Sequence, residues 1–295
     1  MKKKFEFGLY IMTSKGLATL NSLICGGFRD NISYIVTAKD INVVDDYHNE
    51  IVELATLEKI QLFERSQVLP SATHLIAVSW RWLIEPSIGQ QLIVFHDSLL
   101  PRYRGFAPLP NALINGEKNV GVTALLASDE YDRGPIIAQA AIEMNYPVKI
   151  STAIELLKPC YELLATKIAT DILQNNLKTS EQNEGEATYS LWRDEADYFI
   201  DWNWDSDRIK RFVDALGFPF KGAATTIDGT IYRIMDCIEL PDVNIENRDA
   251  GKVIFLQGKH PVVVCGSGLL KIMSMVNEKT SQNAIPLQKF RTRFI

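Results

Sequence analysis

The sequence predicts an α/β fold. An open, Rossmann-like, mostly parallel sheet with helices on both faces comes first, and a small OB-like β-barrel follows it. Three observations lead there. Apolar, strand-like runs alternate with helix-like segments through the first part of the chain. Several runs are apolar throughout, as strands buried on both faces are. Beyond residue 199 the helical spacing gives way to short segments cut by turn signals.

Taken in order, Phe5 to Met12 reads as a buried first strand rather than a targeting segment, because the apolar run is short and broken by Glu6. Thr13 or Ser14 is placed to cap a helix that carries Leu17, Leu20 and Leu23. Ile32 to Thr37 is a second strand, and Asp45 to Leu57 is helical. His74 to Ser79, Gln91 to Phe95, Val120 to Leu126 and Pro135 to Ile142 are further strands. Ile150 to Leu177 keeps one long helical pattern, with a kink expected near Pro159. The domains expected are 1–178, a linker over 179–198, and a barrel-like domain over 199–295. In the last, a helix over Ser206 to Leu216 precedes strands punctuated by Asp228-Gly229, Gly258-Lys259 and Gly266-Ser267-Gly268.

Composition narrows the function. A net charge of −5 argues against a nucleic-acid partner, since phosphate binding asks for a basic footprint. The four cysteines are scattered with no C-x-x-C pair, so neither a metal site nor a disulfide framework is expected and a reducing, cytoplasmic setting fits. No apolar stretch reaches the length of a membrane helix.

The chemistry concentrates between Gln91 and Gln139. An apolar strand ends at Phe95 and His96 follows at once. In open parallel sheets ligands bind beyond the carboxyl ends of the strands, so this imidazole can reach one. Ser98 to Gly105 holds Pro101, Arg102 and Arg104: a stiff loop, suited to presenting backbone groups to a flat ligand. The strand VGVTALLA then leads to Asp132, Arg133 and Gly134. If that strand is parallel, its end opens on the same side and Asp132 can meet His96. A carboxylate beside a histidine fixes its tautomer and favours its charged form. Read without further context, His96 and Asp132 would equally serve a strand end and a turn.

The order His96, Ser98-Leu99-Leu100-Pro101, Arg104-Gly105 and Asp132-Arg133-Gly134 resembles the folate-dependent formyltransferase family. Ile200-Asp201-Trp202 and the later Gly-x-Gly turn look like the barrel that follows its catalytic domain. The resemblance implies His96 and Asp132 as catalytic residues and N10-formyltetrahydrofolate as formyl donor, with no metal. It implies that the folate lies against Leu99, Leu100, Pro101, Arg102 and Tyr103, with Trp80 on the same rim; Trp80 equally suits core packing. The chain departs from the family at Val94, where an asparagine amide usually helps hold the formyl oxygen. A backbone N–H or Asn111 would replace it, or the branch does without it, or turnover is weak.

Among acceptor amines known in the family, the segment after the second strand favours a nucleotide-linked amino deoxysugar, of the kind that feeds surface polysaccharides. A tRNA-binding relative carries a basic loop there; this chain has Asp40, Asp45, Asp46, Glu50 and Glu53, and the string DINVVDDY is similar to that of sugar formyltransferases. Arg81 is then the expected phosphate partner, and Trp192, Arg193 and Tyr198 candidates for the nucleotide. Methionyl-tRNA formyltransferase, or a homologue that binds without turnover, are the alternatives. An apolar barrel face would support a homodimer.

Overall fold

The apolar runs of the first half form one seven-stranded sheet in the computed structural model, which describes residues 5–40 and 43–295. Its strands and helices are β1 Phe7–Ile11, α1 Thr13–Cys25, β2 Ile32–Val36, α2 His48–Leu57, β3 Gln61–Phe63, β4 His74–Val78, β5 Gln91–His96, a short β6 Arg104–Gly105, α3 Pro108–Ile114, β7 Asn119–Leu126, β8 Ile136–Glu143, α4 Ile150–Leu173 and a short β9 Tyr189–Ser190. The order is β3-β2-β1-β4-β5-β7-β8. Every residue of β1 and β4 is buried, as a strand covered on both faces must be. Pro159 lies inside α4.

The sheet is parallel only as far as β5; β7 and β8 run antiparallel. This corrects the expectation of a parallel strand before Asp132. The loop after β5 stays at that strand's carboxyl end. The seven residues of α3 span only about 10 Å. The chain therefore re-enters the sheet from the same end, and His96 pairs with Thr123.

The order reverses between β1 and β4, whose carboxyl ends flank the crevice where ligands of such sheets bind. There Thr13 and Ser79 take φ of 64° and 54°, and the Thr13 hydroxyl donates to Ser79 Oγ at 3.1 Å. Neither Thr13 nor Ser14 caps α1, contrary to the sequence reading; Thr13 spends its hydroxyl on this junction.

Contacts divide the chain into two units. The first comprises residues to Leu109, Asn119–Glu143 and Ile154–Leu191; the second comprises Pro110–Lys118, Met144–Ala153 and Trp192–Ile295. The stretch read as a linker is therefore bonded into the first unit over its first part. Ser180 bridges to Ile136, and β9 pairs in parallel with β6.

In the second unit α5 (Ser206–Ala215) is capped by Asp205, which accepts from the Arg208 amide at 2.7 Å. Strands β10 Ala223–Ile227, β11 Thr230–Leu240, β12 Val253–Gln257, β13 His260–Val264 and β14 Leu269–Asn277 form an antiparallel sheet of order β10-β11-β14-β13-β12. The C-terminal residues bond to both outer strands: the Val253 amide donates to Thr292, and Thr226 and Ile295 exchange two backbone hydrogen bonds. The tail thus spans the two edges and makes the sheet barrel-like.

Candidate functional site

His96 closes β5 and is buried, with 7% exposure. Its Nδ1 lies 3.5 Å from Asp132 Oδ1, and its Nε2 bonds the carbonyl oxygen of Tyr103 at 2.8 Å. Both ring nitrogens thus face acceptors, whereas a neutral imidazole carries one N–H only.

Asp132 arrives by a different route from the one expected. It sits in the hairpin loop between β7 and β8, with φ of 57°, and that loop folds back over the sheet to His96. Its Oδ2 accepts from the Gly105 amide at 2.8 Å. The same carboxylate therefore meets the imidazole and braces the loop after β5.

That loop is held by bonds within itself and to distant segments of the same unit. Ser98 Oγ donates to the Arg102 carbonyl, and the Arg102 amide to that of Leu99. Leu100 is buried; its amide donates to Thr123 Oγ1 at 3.1 Å and its carbonyl accepts from Gln139 Nε2 at 2.8 Å. Thr188 takes the Pro101 carbonyl and the Tyr103 amide. The backbone groups expected to face a flat ligand are instead engaged within the unit, because a buried polar group must be paired. Arg102 is exposed, and its guanidinium lies 5.2 Å from the centre of the Tyr103 ring. Leu99 packs where Gly121 leaves room: a Cβ there would sit 2.5 Å from the leucine methyl.

Trp80 is half-buried and packs edge-to-face on Tyr10, with centroids 5.3 Å apart, and on Trp82 at 5.1 Å. Its Nε1–H is buried with no hydrogen-bond partner among the described residues. Val94 packs against the same apolar cluster and pairs with Ala77 and Leu125. By strand alternation it shares the face of His96.

Arg81 holds Asp40 in an ion pair at 2.5 Å; its side chain is 44% exposed and that of Asp40 1%. Asp46 accepts from the amides of Asp40 and His48. Two of the five acidic residues in this segment thus serve its own structure, leaving Asp45, Glu50 and Glu53 exposed. Ile41 and Asn42 of the DINVVDDY string lie outside the described residues.

The other predicted groups belong to the second unit. Asn111 Oδ1 accepts from Arg193, which also donates to the Asp197 carbonyl. Desolvation moves the Arg193 guanidinium below its ordinary value. Arg233 lies 5.5 Å over the Tyr198 ring. Trp192 is 61% exposed.

Sequence reasoning missed a second network beside His96. Asp97 accepts from Lys15 and from the Tyr161 hydroxyl, and Tyr161 stacks on Phe95 with centroids 5.8 Å apart. Burial alone would push the Asp97 carboxyl up, but Lys15 and the Tyr161 hydroxyl hold it below the usual carboxylate range. The Tyr161 hydroxyl is pushed well above its own range by burial and by Asp97. Thr123 and Gln139 were missed too, although a polar side chain inside an apolar strand is a readable signal. No group of three potential metal ligands occurs among the described residues, and none of their helices is long and apolar enough to cross a membrane.

Comparison with known proteins adds the following. Residues 76–153 match the family described as Formyl transferase, and residues 193–290 match the Formyl transferase C-terminal domain. A methionyl-tRNA formyltransferase of Lactococcus lactis subsp. lactis is 32% identical over 186 residues, which cover 63% of this chain and 58% of that protein. The chain thus spans little more than half the length of that relative. Another, from Pseudothermotoga lettingae, is 29% identical over 236 residues, 76% of each chain. Among solved structures, an N-formyltransferase from Helicobacter canadensis in complex with folinic acid and dTDP-3-aminofucose gives a TM-score of 0.67 at 16% identity, covering 95% of this chain and 99% of that one. HypX from Aquifex aeolicus gives 0.64 at 19%, covering 96% and 46%. At these identities the structural likeness is one of fold.

Proposed function

The chain belongs to the formyl transferase family, and from that premise we propose that it moves a formyl group from N10-formyltetrahydrofolate to the amine of a nucleotide-linked amino deoxysugar. The observation that carries the reaction is the meeting of His96 and Asp132, 3.5 Å apart, at the carboxyl end of β5. The amine attacks the formyl carbon, and negative charge develops on the formyl oxygen. The His96 Nε2–H, directed at the Tyr103 carbonyl in this structure, shares its proton with that oxygen as the charge forms. The new carbon–nitrogen bond forms first and gives a tetrahedral oxyanion; its collapse re-forms the carbonyl and breaks the bond to the folate nitrogen. The proton shed by the amine passes through Asp132, directly or by water, and ends on the departing folate nitrogen.

A small anionic acceptor is favoured over tRNA by the way the second unit spends its cations. Lys149, Lys210, Arg211, Lys221, Arg233, Arg248, Lys252 and Arg293 are each paired with a carboxylate. These pairs lower, without cancelling, the positive field that the unit offers a polyanion. A nucleotide-sugar diphosphate needs one or two cations, and Arg81 meets it by exchanging Asp40 for phosphate. The structural neighbour crystallised with dTDP-3-aminofucose accords with this acceptor class. The identity to methionyl-tRNA formyltransferases favours the second reading, a tRNA acceptor. Incubation with N10-formyltetrahydrofolate and either a panel of dTDP-, UDP- and GDP-amino deoxysugars or methionyl-tRNA decides between them. A formylated sugar nucleotide in the mass spectrum is expected; formylmethionyl-tRNA as the sole product would replace this reading with the second.

A further inference from the structure

The exposed strap between Ser180 and Ser190 ties together the two loops that bring His96 and Asp132 face to face. We infer that Gln182, near the start of that strap, is a positioning residue that sets the place of the Asp132 carboxylate; the inference rests on reading His96 and Asp132 as the reacting pair.

The geometry is that of a bracket. Gln182 Nε2 donates to the backbone carbonyls of Asp132 at 2.7 Å and Gly134 at 2.8 Å. Its Oε1 accepts from Arg104 Nε at 3.0 Å and Nη2 at 2.8 Å. Arg104 has no solvent exposure, and its remaining donors form a fork on Glu184 at 2.9 and 2.7 Å. The amide can point only one way. Turned over, it would set its oxygen against two carbonyls and its NH2 against a guanidinium. The strap grips the opposite loop as well, since Thr188 Oγ1 accepts from Tyr103 and the Thr188 carbonyl from Arg104. Asp132 needs such a hold. Its φ of 57° is one that non-glycine residues keep only when their surroundings impose it. Gly105, whose amide binds the Asp132 carboxylate, sits in the β6–β9 pairing that anchors the strap's far end.

Two substitutions test this. Gln182→Glu keeps the acceptor for Arg104 but replaces the NH2 with an oxygen facing two carbonyls. Gln182→Met keeps the bulk and removes all four hydrogen bonds, and it carries the same test if the charged variant does not fold. The expected result is a kcat lower by about 10²-fold with both KM values nearly unchanged, because displacing a reacting group by about 1 Å costs that much. In an Asp132→Asn background the same change should cost nothing further, as two residues acting through one group are not additive. A readout independent of turnover is the 15N signal of the His96 ring, assigned by its loss in His96→Gln. It should move in the Gln182 variants. A folded variant with both turnover and His96 signal unmoved overturns the inference while formyl transfer stands. Wild-type protein that transfers no formyl group, yet whose His96 signal moves in Gln182→Glu, removes the transferase reading and upholds the bracket.

Discussion

His96 and Asp132 come from two regions that solve one problem in opposite ways. His96 ends a strand whose residues pair with β4 on one side and β7 on the other, so the sheet itself delivers the imidazole. Asp132 rides a return loop at the antiparallel end of the sheet and is held there by bonds from distant segments: Gly105 to its carboxylate and Gln182 to its carbonyl. A group placed by a strand needs little beyond the ladder. One placed by a loop needs non-local ties, and those ties are where the site is open to damage.

The largest effect expected removes the pair itself. His96→Ala and Asp132→Asn should each lower single-turnover formyl transfer by about 10²–10³-fold, with unfolding curves close to wild type for His96→Ala. An Asp132→Asn enzyme within tenfold of wild type would break the comparison, because the loop would then have been ordered for some other purpose.

Next comes the footing of the strand-borne side. The side chains of Lys15 and Asp97 are 13% and 16% exposed, and Asp97→Asn leaves the lysine without its counter-charge. A loss of about 3 kcal/mol in urea-measured stability is expected, at the low end for a broken buried pair because the Tyr161 hydroxyl keeps an acceptor. The pH dependence has a definite sign. The Asp97 carboxyl is held below its ordinary value, so its contribution is complete above the unfolded value near about 4 and fades as pH falls through the folded one. The gap between wild type and Asp97→Asn should therefore close on acidification below about pH 4; a gap that widened would put the pairing in the unfolded chain.

Gly105→Ala probes the loop-borne side. Gly105 has φ of 96°, and a Cβ there would lie 2.6 Å from the Ser190 carbonyl oxygen. Strain of about 1–3 kcal/mol is expected. Since the Gly105 amide binds Asp132, turnover should fall further than the stability loss alone accounts for. A stability loss with turnover intact would show that the strap tolerates movement at this point.

The same division decides what the sequence made legible. Strands β1, β2, β4, β5, β7 and β8 and His96 follow from apolar runs and from the rule that ligands meet strand ends, whereas the short edge strand β3 carried no such run. Asp132 was found through the motif, but the parallel strand meant to deliver it runs the other way. Apart from Arg104 and Gly105, which the motif contains, its supports were not legible, and the ties among them were not legible at all, for a physical reason. Gln182, Thr188 and Arg104 are single polar residues joined across long stretches of chain. Neither periodicity nor composition records a side chain whose partner is a backbone carbonyl far along the sequence. The left-handed backbone at Thr13, Ser79, Tyr103 and Asp132 is equally silent, since none of them is glycine.

The smallest effect concerns Val94, where the family's asparagine is replaced by an apolar side chain. Val94 lies against a cluster containing Tyr10, Tyr34 and Ala77, beside Trp80. An amide there would lose water among mostly apolar neighbours, at a cost of about 1–3 kcal/mol where it finds no partner. It would also share the pleat face of His96, where it could donate to the formyl oxygen. The two consequences oppose each other. Val94→Asn is expected to lower stability while changing kcat by less than about tenfold, read as paired unfolding and single-turnover measurements. A large gain in rate would mean that the oxyanion lacks a donor in the native protein. A large loss would mean that the apolar wall shapes the folate site, with His96 alone carrying the charge.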